Sequence, residues 1–321
     1  MKTALIIALI CLVVGAILVG TGWVLLQKNP TDMNTIKDVS KVYHISEAPT
    51  QINISTTESR IEIRPIEGDE WSVECKDKEK VYHTIDLTDG VLTIKQIDKR
   101  AWYDRISILN GFQNLSVIVY LPLQEYENLS IRSVSGSIKV EEGLAFSNAD
   151  LQNTSGSVTC ASSVAGSLAI RNTSGSITVK GSVGVDLNVK NTSGSITISG
   201  GVNGKLNVAN SSGRIEIKAA TPTSAIIKNT SGGIYLCDVV CKETCEISNT
   251  SGSIQLERCD AFSFDLQSAS GSIRGSILSA KSFDCRSTSG SVRTPQNGNG
   301  GMFKARSTSG SIKIEIASSA K

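Results

Sequence analysis

A Ser-Gly pair recurs along the last two-thirds of the chain at nearly fixed spacing. The glycines are Gly136, Gly156, Gly175, Gly194, Gly213, Gly232, Gly252, Gly271, Gly290 and Gly310, 19 or 20 residues apart. A period that regular means one structural unit stacked on itself. Number each repeat from its glycine. Positions −7 and −5 are mostly apolar, as in Leu168 and Ile170, Leu187 and Val189, and Leu206 and Val208. Positions +2 and +4 are apolar too, as in Ile177 and Val179, Ile196 and Ile198, and Ile215 and Ile217. Polar residues alternate with them, the mark of strands with one buried face. The Ser-Gly pair makes the turn between two strands. Leu144, Val164, Val183, Val202 and Val240, near +8, are expected to supply a third wall.

A single coil cannot bury its own core; stacked coils can, each strand pairing in parallel with its equivalent one coil away. The expected fold is therefore all-β: a β-solenoid of about ten coils over residues 129–321, roughly 48 Å long at about 4.8 Å per coil. Residues 50–128 alternate less regularly and are expected to cap one end. Within them, Glu58-Ser59-Arg60-Ile61-Glu62-Ile63 resembles a decayed turn and strand.

Position −3 is Asn153, Asn172, Asn191, Asn210, Asn229 and Asn249, then Ser268, Ser287 and Ser307. Alternation points it inward beside the turn. The expectation is an amide ladder along the rod that also satisfies turn backbone groups. Each Asn-Thr-Ser is also a glycosylation sequon, but an acceptor at an inward corner of every coil argues for structure.

Ala4 to Leu26 is uncharged and nearly continuously apolar, long enough to span a bilayer. Residues 1–26 are expected to be an uncleaved single-pass anchor and residues 27–49 a polar stem. The large polar domain after such a span is expected outside the cytoplasm. With membrane attachment expected, composition speaks further. A net charge of +2 gives no reason to expect nucleic acid as partner. Charge is uneven: residues 31–135 hold 12 basic against 17 acidic side chains, residues 250–321 hold 9 against 5.

No catalytic, cofactor or metal site is expected. His44 and His83, the two histidines, are read as incidental, and the many serines are explained by turns. Eight cysteines lack zinc-type Cys-x2-Cys spacing. Cys160, Cys245 and Cys285 fall on inward positions, and Cys241 and Cys259 lie near one corner of neighbouring coils, where a disulfide is conceivable. Trp102 and Tyr103 are read as part of the cap core.

The best binding candidate is the outward column at −4. Six of its ten members are basic: Arg132, Arg171, Lys190, Lys228, Arg286 and Arg306. The outward +3 column adds Arg274, Arg293 and Lys313. Such a ladder suits an anionic wall polymer or acidic glycan; the plainer alternative is a solvated face that resists aggregation.

The Asn191-Thr192-Ser193-Gly194-Ser195-Ile196 type of repeat, with Val119-Tyr120-Leu121-Pro122 before the coils, resembles a bacterial family of β-strand-repeat proteins labelled "putative adhesin", a domain of unknown function. The resemblance covers about residues 40–318. It implies a non-enzymatic bacterial envelope protein with no catalytic residues to carry over. Some relatives are associated with envelope-stress genes, and the alternative to an adhesive or wall-binding protein is a structural or signalling partner of another membrane protein in the envelope-stress response.

Overall fold

The computed structural model describes residues 38–100 and 114–317, together with Gly15. The expected anchor, most of the stem, Trp102 and Tyr103 lie outside the described residues. No helix among the described residues is long and apolar enough to cross a membrane.

The repeats form a parallel β-solenoid in the register their columns predict. Leu168 pairs with Leu187 and Leu187 with Leu206, while Ile177 pairs with Ile196 and Ile196 with Ile215. The −7, −5, +2 and +4 columns of these coils are buried. Each aliphatic side chain so buried is worth about 1.5–3 kcal/mol, and this aliphatic stripe is the core of the rod. At the turns the coils join through backbone: the Gly175 N–H donates to the Ser193 carbonyl and the Ile177 N–H to the Ser195 carbonyl, both at 2.9 Å. The repeat glycines are needed for two reasons. Gly156, Gly175, Gly194, Gly213 and Gly232 have φ between 115° and 119°, and a Cβ on any of them would lie 2.3 Å from the carbonyl oxygen of the glycine one coil away.

The inward asparagines bond differently from an amide ladder. In each, Nδ2 donates to the turn carbonyl of the preceding coil at 2.9 Å: Asn153 to Gly136, Asn172 to Gly156, Asn191 to Gly175, Asn210 to Gly194, Asn229 to Gly213 and Asn249 to Gly232. No amide-to-amide bond links them, and their Oδ1 atoms have no partner. The part of the expectation that survives is satisfaction of the turn. A buried Nδ2 committed to that carbonyl is also closed to glycosylation in the folded rod. Asn191→Ala is expected to cost about 1–3 kcal/mol, because the Gly175 carbonyl loses its side-chain donor in a buried site. A urea melt checks it; a loss below about 0.3 kcal/mol would contradict the assignment.

The third wall shifts by one residue midway along the rod. Val164, Val183 and Val202 are buried at +8 as expected, but Val240 is half-buried and Val239 takes its place. Ala219, Asp238 and Arg258, all at +6, have φ of 52°, 54° and 49°. One left-handed residue reverses the alternation that follows it, so +7 turns inward with Ala220, Val239 and Cys259. Arg258 clamps Asp238 of the neighbouring coil with both Nε and Nη2, at 2.7 and 2.6 Å.

The ends do not stack in sequence order. The strand Met302–Ser309 lies between Ile254–Ser270 and Ser282–Ser289, and Ile312–Ile316 lies between Ile273–Ile277 and Val292–Arg293. The last coil is thus inserted beneath the one before it. The Leu278–Lys281 connection skips a level, and Lys281 Nζ is tied to Asp260 Oδ1 at 2.8 Å where it does so. At the other end the same device recurs. Strands β1 (Asp38–Ile45), β2 (Gln51–Thr56), β3 (Arg60–Ile66), β4 (Trp71–Lys78), β5 (Val81–Thr88), β6 (Val91–Asp98), β7 (Ser116–Pro122), β8 (Glu125–Ser135) and β9 (Ile138–Val140) open the chain. β2 lies in parallel between β6 and β8, and β3 between β7 and β9. Parallel coil register therefore extends back to Gln51, within the segment expected to be an irregular cap. Ser59 occupies the level below Gly136, whose Cβ would meet the Ser59 carbonyl. Antiparallel strands finish this end: β5 on β6, β4 on β7 and β1 on β4. The second half of the segment read as a stem is thus the strand β1.

Candidate functional site on the basic face

Parallel register brings the −4 residues into one file. Arg132 pairs with Gln152, then Arg171, Lys190, Ala209, Lys228, Ser248 and Gln267 follow. The inserted coil changes the distal order, which runs Gln267, Arg306, Arg286. In the +3 column Lys313 likewise sits between Arg274 and Arg293.

Each strand presents −4 outward, −3 inward and both −2 and −1 outward, so the chain bends at −3 and a shallow trough runs along the rod there. Two open grooves follow it. One, about 330 Å³, is lined by Arg132, Arg171, Lys190 and the threonines Thr154, Thr173 and Thr192. The other, about 540 Å³, is lined by Arg286, Arg306, Gln267 and the threonines Thr250, Thr288 and Thr308. Basic heads on one side and hydroxyls on the other offer donors to an extended chain of anionic or hydroxyl groups.

The file is less bare than its residue types imply. The −6 column beside it carries Asp150, Glu246, Asp265 and Asp284. Asp150 pairs with Arg171 at 3.0 Å and Arg132 at 3.9 Å; Asp284 pairs with Arg286 at 3.4 Å and with Arg306. Arg306 holds the Asp284 carboxyl below its ordinary range. Lys313 pairs with Glu315 at 2.7 Å. Among the described residues Lys190, Lys228, Arg274 and Arg293 make no ion pair, so these four are the cations most available to a partner. Exposed pairs of this kind are worth at most about 1 kcal/mol each, and a polyanion can compete for them.

A second constellation was missed by reading the histidines as incidental. His44 is exposed on β1, but His83 is buried in the end of the rod with Cys75, Asp77 and Ser59. Ser59 Oγ lies 2.8 Å from His83 Nε2, and His83 Nδ1 lies 2.6 Å from Asp77 Oδ1. The order Ser-His-Asp suggests an activated nucleophile, but the hydrogen-bond inventory denies it. Gln96 Oε1 accepts from the Thr57 and Glu58 N–H groups at 2.8 and 3.0 Å, so it is an acceptor. Ser59 Oγ, 3.1 Å away, must donate to it. That spends the single hydroxyl hydrogen, so His83 Nε2 is the donor to Ser59. A histidine that donates to serine cannot be its base. Ser59 is also fully enclosed. Burial pulls the His83 pKa down despite the opposing pull of Asp77, and burial beside Asp77 pushes the Cys75 thiol up to about 12.

Comparison with known proteins settles the lineage. The profile of the Toastrack DUF4097 family matches residues 50–237 and 203–321, which together cover all of the chain beyond its first 49 residues. The chain belongs to the Toastrack DUF4097 family. No curated protein matches it in a sequence search. Among solved structures, a protein described as a "putative adhesin" from Bacteroides fragilis is 11% identical, with a TM-score of 0.41, covering 88% of this chain and 98% of its own. Another so described, from Parabacteroides merdae, is 15% identical with a TM-score of 0.42, covering 87% and 96%. A "putative lipid binding protein" from Parabacteroides distasonis is 15% identical with a TM-score of 0.35, covering 86% and 96%.

Six of the seven described cysteines of this Toastrack chain lie in or against its core. Cys160 and Cys245 are buried as expected, Cys285 is partly buried against the core, and Cys75, Cys241 and Cys259 are buried too. The conceivable Cys241–Cys259 disulfide is not formed; both are free thiols. Cys241 pairs in register with Ala261, while the Cys259 thiol shares its hydrogen between the Leu236 and Glu257 carbonyls, each at 3.5 Å.

Proposed function

We propose that this Toastrack protein is a non-enzymatic component of the cell envelope, held to the membrane by residues 4–26, whose rod binds an anionic wall polymer or acidic glycan. The observation that carries the reading is the file of −4 cations beside −2 threonines, which two open grooves follow. Its repeat of about 4.8 Å per coil runs along the axis of the rod. A polymer lying along it meets side-chain donors at most levels, Ala209 being the gap in the −4 file, so many weak contacts add into useful avidity. Lys190 and Lys228, free of acidic partners, and the Arg286–Arg306 pair give the trough its net positive character.

The test is retention of the full-length protein on fractionated envelope material at low and high salt. Retention on an anionic fraction that high salt releases, and that Lys190→Glu/Lys228→Glu/Arg306→Glu abolishes, is the expected result. Retention unchanged by the triple reversal sinks the proposal. Capture only through residues 1–130 points instead to a membrane-protein partner, with the rod as a spacer.

A further inference from the structure

The buried cluster in the end of the rod carries more than packing. Cys75 and Asp77 lie two residues apart on β4, hence on one face, and both point inward. β5 follows β4 through a tight turn in which Lys78 faces Val81, and it returns His83 to the same place. A thiol, a carboxylate and an imidazole, all buried, thus offer donor atoms within 4.8 Å of one another. Among the described residues no other group does this.

Their hydrogen bonds leave an imbalance. With His83 Nε2 donating to Ser59, a neutral ring has a lone pair on Nδ1. That lone pair faces Asp77 Oδ1 at 2.6 Å, so two acceptors confront each other. The other carboxylate oxygen, Asp77 Oδ2, is buried with no partner at all. Something positive belongs between these groups, either a proton or a metal ion.

We propose that Cys75, Asp77 and His83 form a structural site for a divalent transition metal of the zinc class. Soft sulfur, imidazole nitrogen and a carboxylate oxygen are the donors such an ion takes. Around zinc, neighbouring ligand atoms stand about 3.3–3.8 Å apart, so the cluster is near the right size and Nδ1 and Oδ1 need only separate by about 0.7 Å. Binding is balanced by one proton: the Cys75 S–H gives its hydrogen to solvent as the sulfur–metal bond forms, while His83 already presents its lone pair and Asp77 its carboxylate. The outer contacts fit as well. Ser59 on the adjacent coil takes the His83 Nε2–H, and Gln96 on β6 holds Ser59, so the ring is fixed with Nδ1 facing the site. The metal would staple β4 to β5, and the Ser59–His83 hydrogen bond would tie that hairpin to the adjacent coil.

The experiment is Co²⁺ titration of the chelator-stripped, full-length protein. Uptake of about one equivalent is expected, with the ligand-field spectrum of a four-coordinate site, three protein donors and one solvent oxygen, and a sulfur-to-cobalt charge-transfer band. Zn²⁺ should displace it. Zn²⁺ in excess should also raise the melting temperature by at least about 5 °C, as for a ligand present well above its Kd. Cys75→Ser should remove the charge-transfer band and Cys160→Ser should keep it. No uptake by the wild-type protein overturns the proposal and leaves a shared proton between His83 and Asp77. A cobalt spectrum that persists in Cys75→Ser overturns it equally, placing the ion elsewhere.

Discussion

Alanine at Gly194 is expected to destabilise the rod by at least about 3 kcal/mol, while alanine at Gly201 leaves it within about 0.5 kcal/mol of wild type. Both are glycines of the same coil, which makes the comparison sharp. Gly194 has φ of 118°, a conformation that L side chains rarely adopt, and its added Cβ would sit 2.3 Å from the Gly175 carbonyl oxygen. That oxygen cannot retreat, because Asn191 Nδ2 holds it at 2.9 Å and the turns above and below are stacked in register. At Gly201 an added Cβ meets nothing within 4 Å. Urea unfolding of the two variants checks the difference. Equal stabilities would mean that the turns are not packed carbonyl to α-carbon.

Deleting residues 297–321 is expected to strip protection from two coils, not one. The strand Ser282–Ser289 has its parallel partner in Met302–Ser309, and Val292–Arg293 has its partner in Ile312–Ile316. Phe303 is sandwiched between Phe264 and Phe283, with ring centroids 5.0 and 5.5 Å away. Removing the inserted coil therefore takes the neighbour from the outer coil and uncovers the level below it. The Leu278–Lys281 connection, fastened by Lys281 to Asp260, is set to skip a level and does not bring the outer coil down. Hydrogen exchange should find the amides of residues 282–293 near the rate of unfolded chain. Had the coils stacked in sequence order, those amides would keep their slow exchange, and that result would contradict the inserted topology.

Much of the fold was legible because a solenoid writes each structural column into the sequence at a fixed interval. The Leu168, Leu187 and Leu206 file could be read without coordinates, as could the inward asparagines. What could not be read was which coil lies next to which. The coils around Gly290 and Gly310 carry equally compatible columns, and only the spans of their connections decide that the last enters beneath its predecessor. The shift from Val240 to Val239 had no residue signal either. Ala219, Asp238 and Arg258 share a left-handed backbone but no side-chain type.

The candidate sites divide in the same way. The −4 cations were visible because they repeat. Their −6 counterions, Asp150 and Asp284 above all, were not weighed, since only strand geometry brings −6 of one coil beside −4 of the next. The Cys75–Asp77–His83–Ser59 cluster was hidden for a different reason. It does not repeat, and Ser59 reaches it from another coil level, so no linear pattern contains all four. The nearest signal was local: Cys75 and Asp77 share a face of one strand, and His83 follows just beyond a hairpin turn.

If the file of unpaired and loosely paired cations binds a polyanion, as proposed, binding must depend on salt and on those cations. The most direct measurement is the affinity of the full-length protein for purified anionic wall polymer across a salt series, wild type against Lys190→Glu/Lys228→Glu. Affinity is expected to fall as salt rises, and to drop at least about tenfold on reversal at low salt with the melting temperature unchanged. Affinity that is indifferent both to salt and to the reversal would contradict it and return the basic face to the role of a solvated surface.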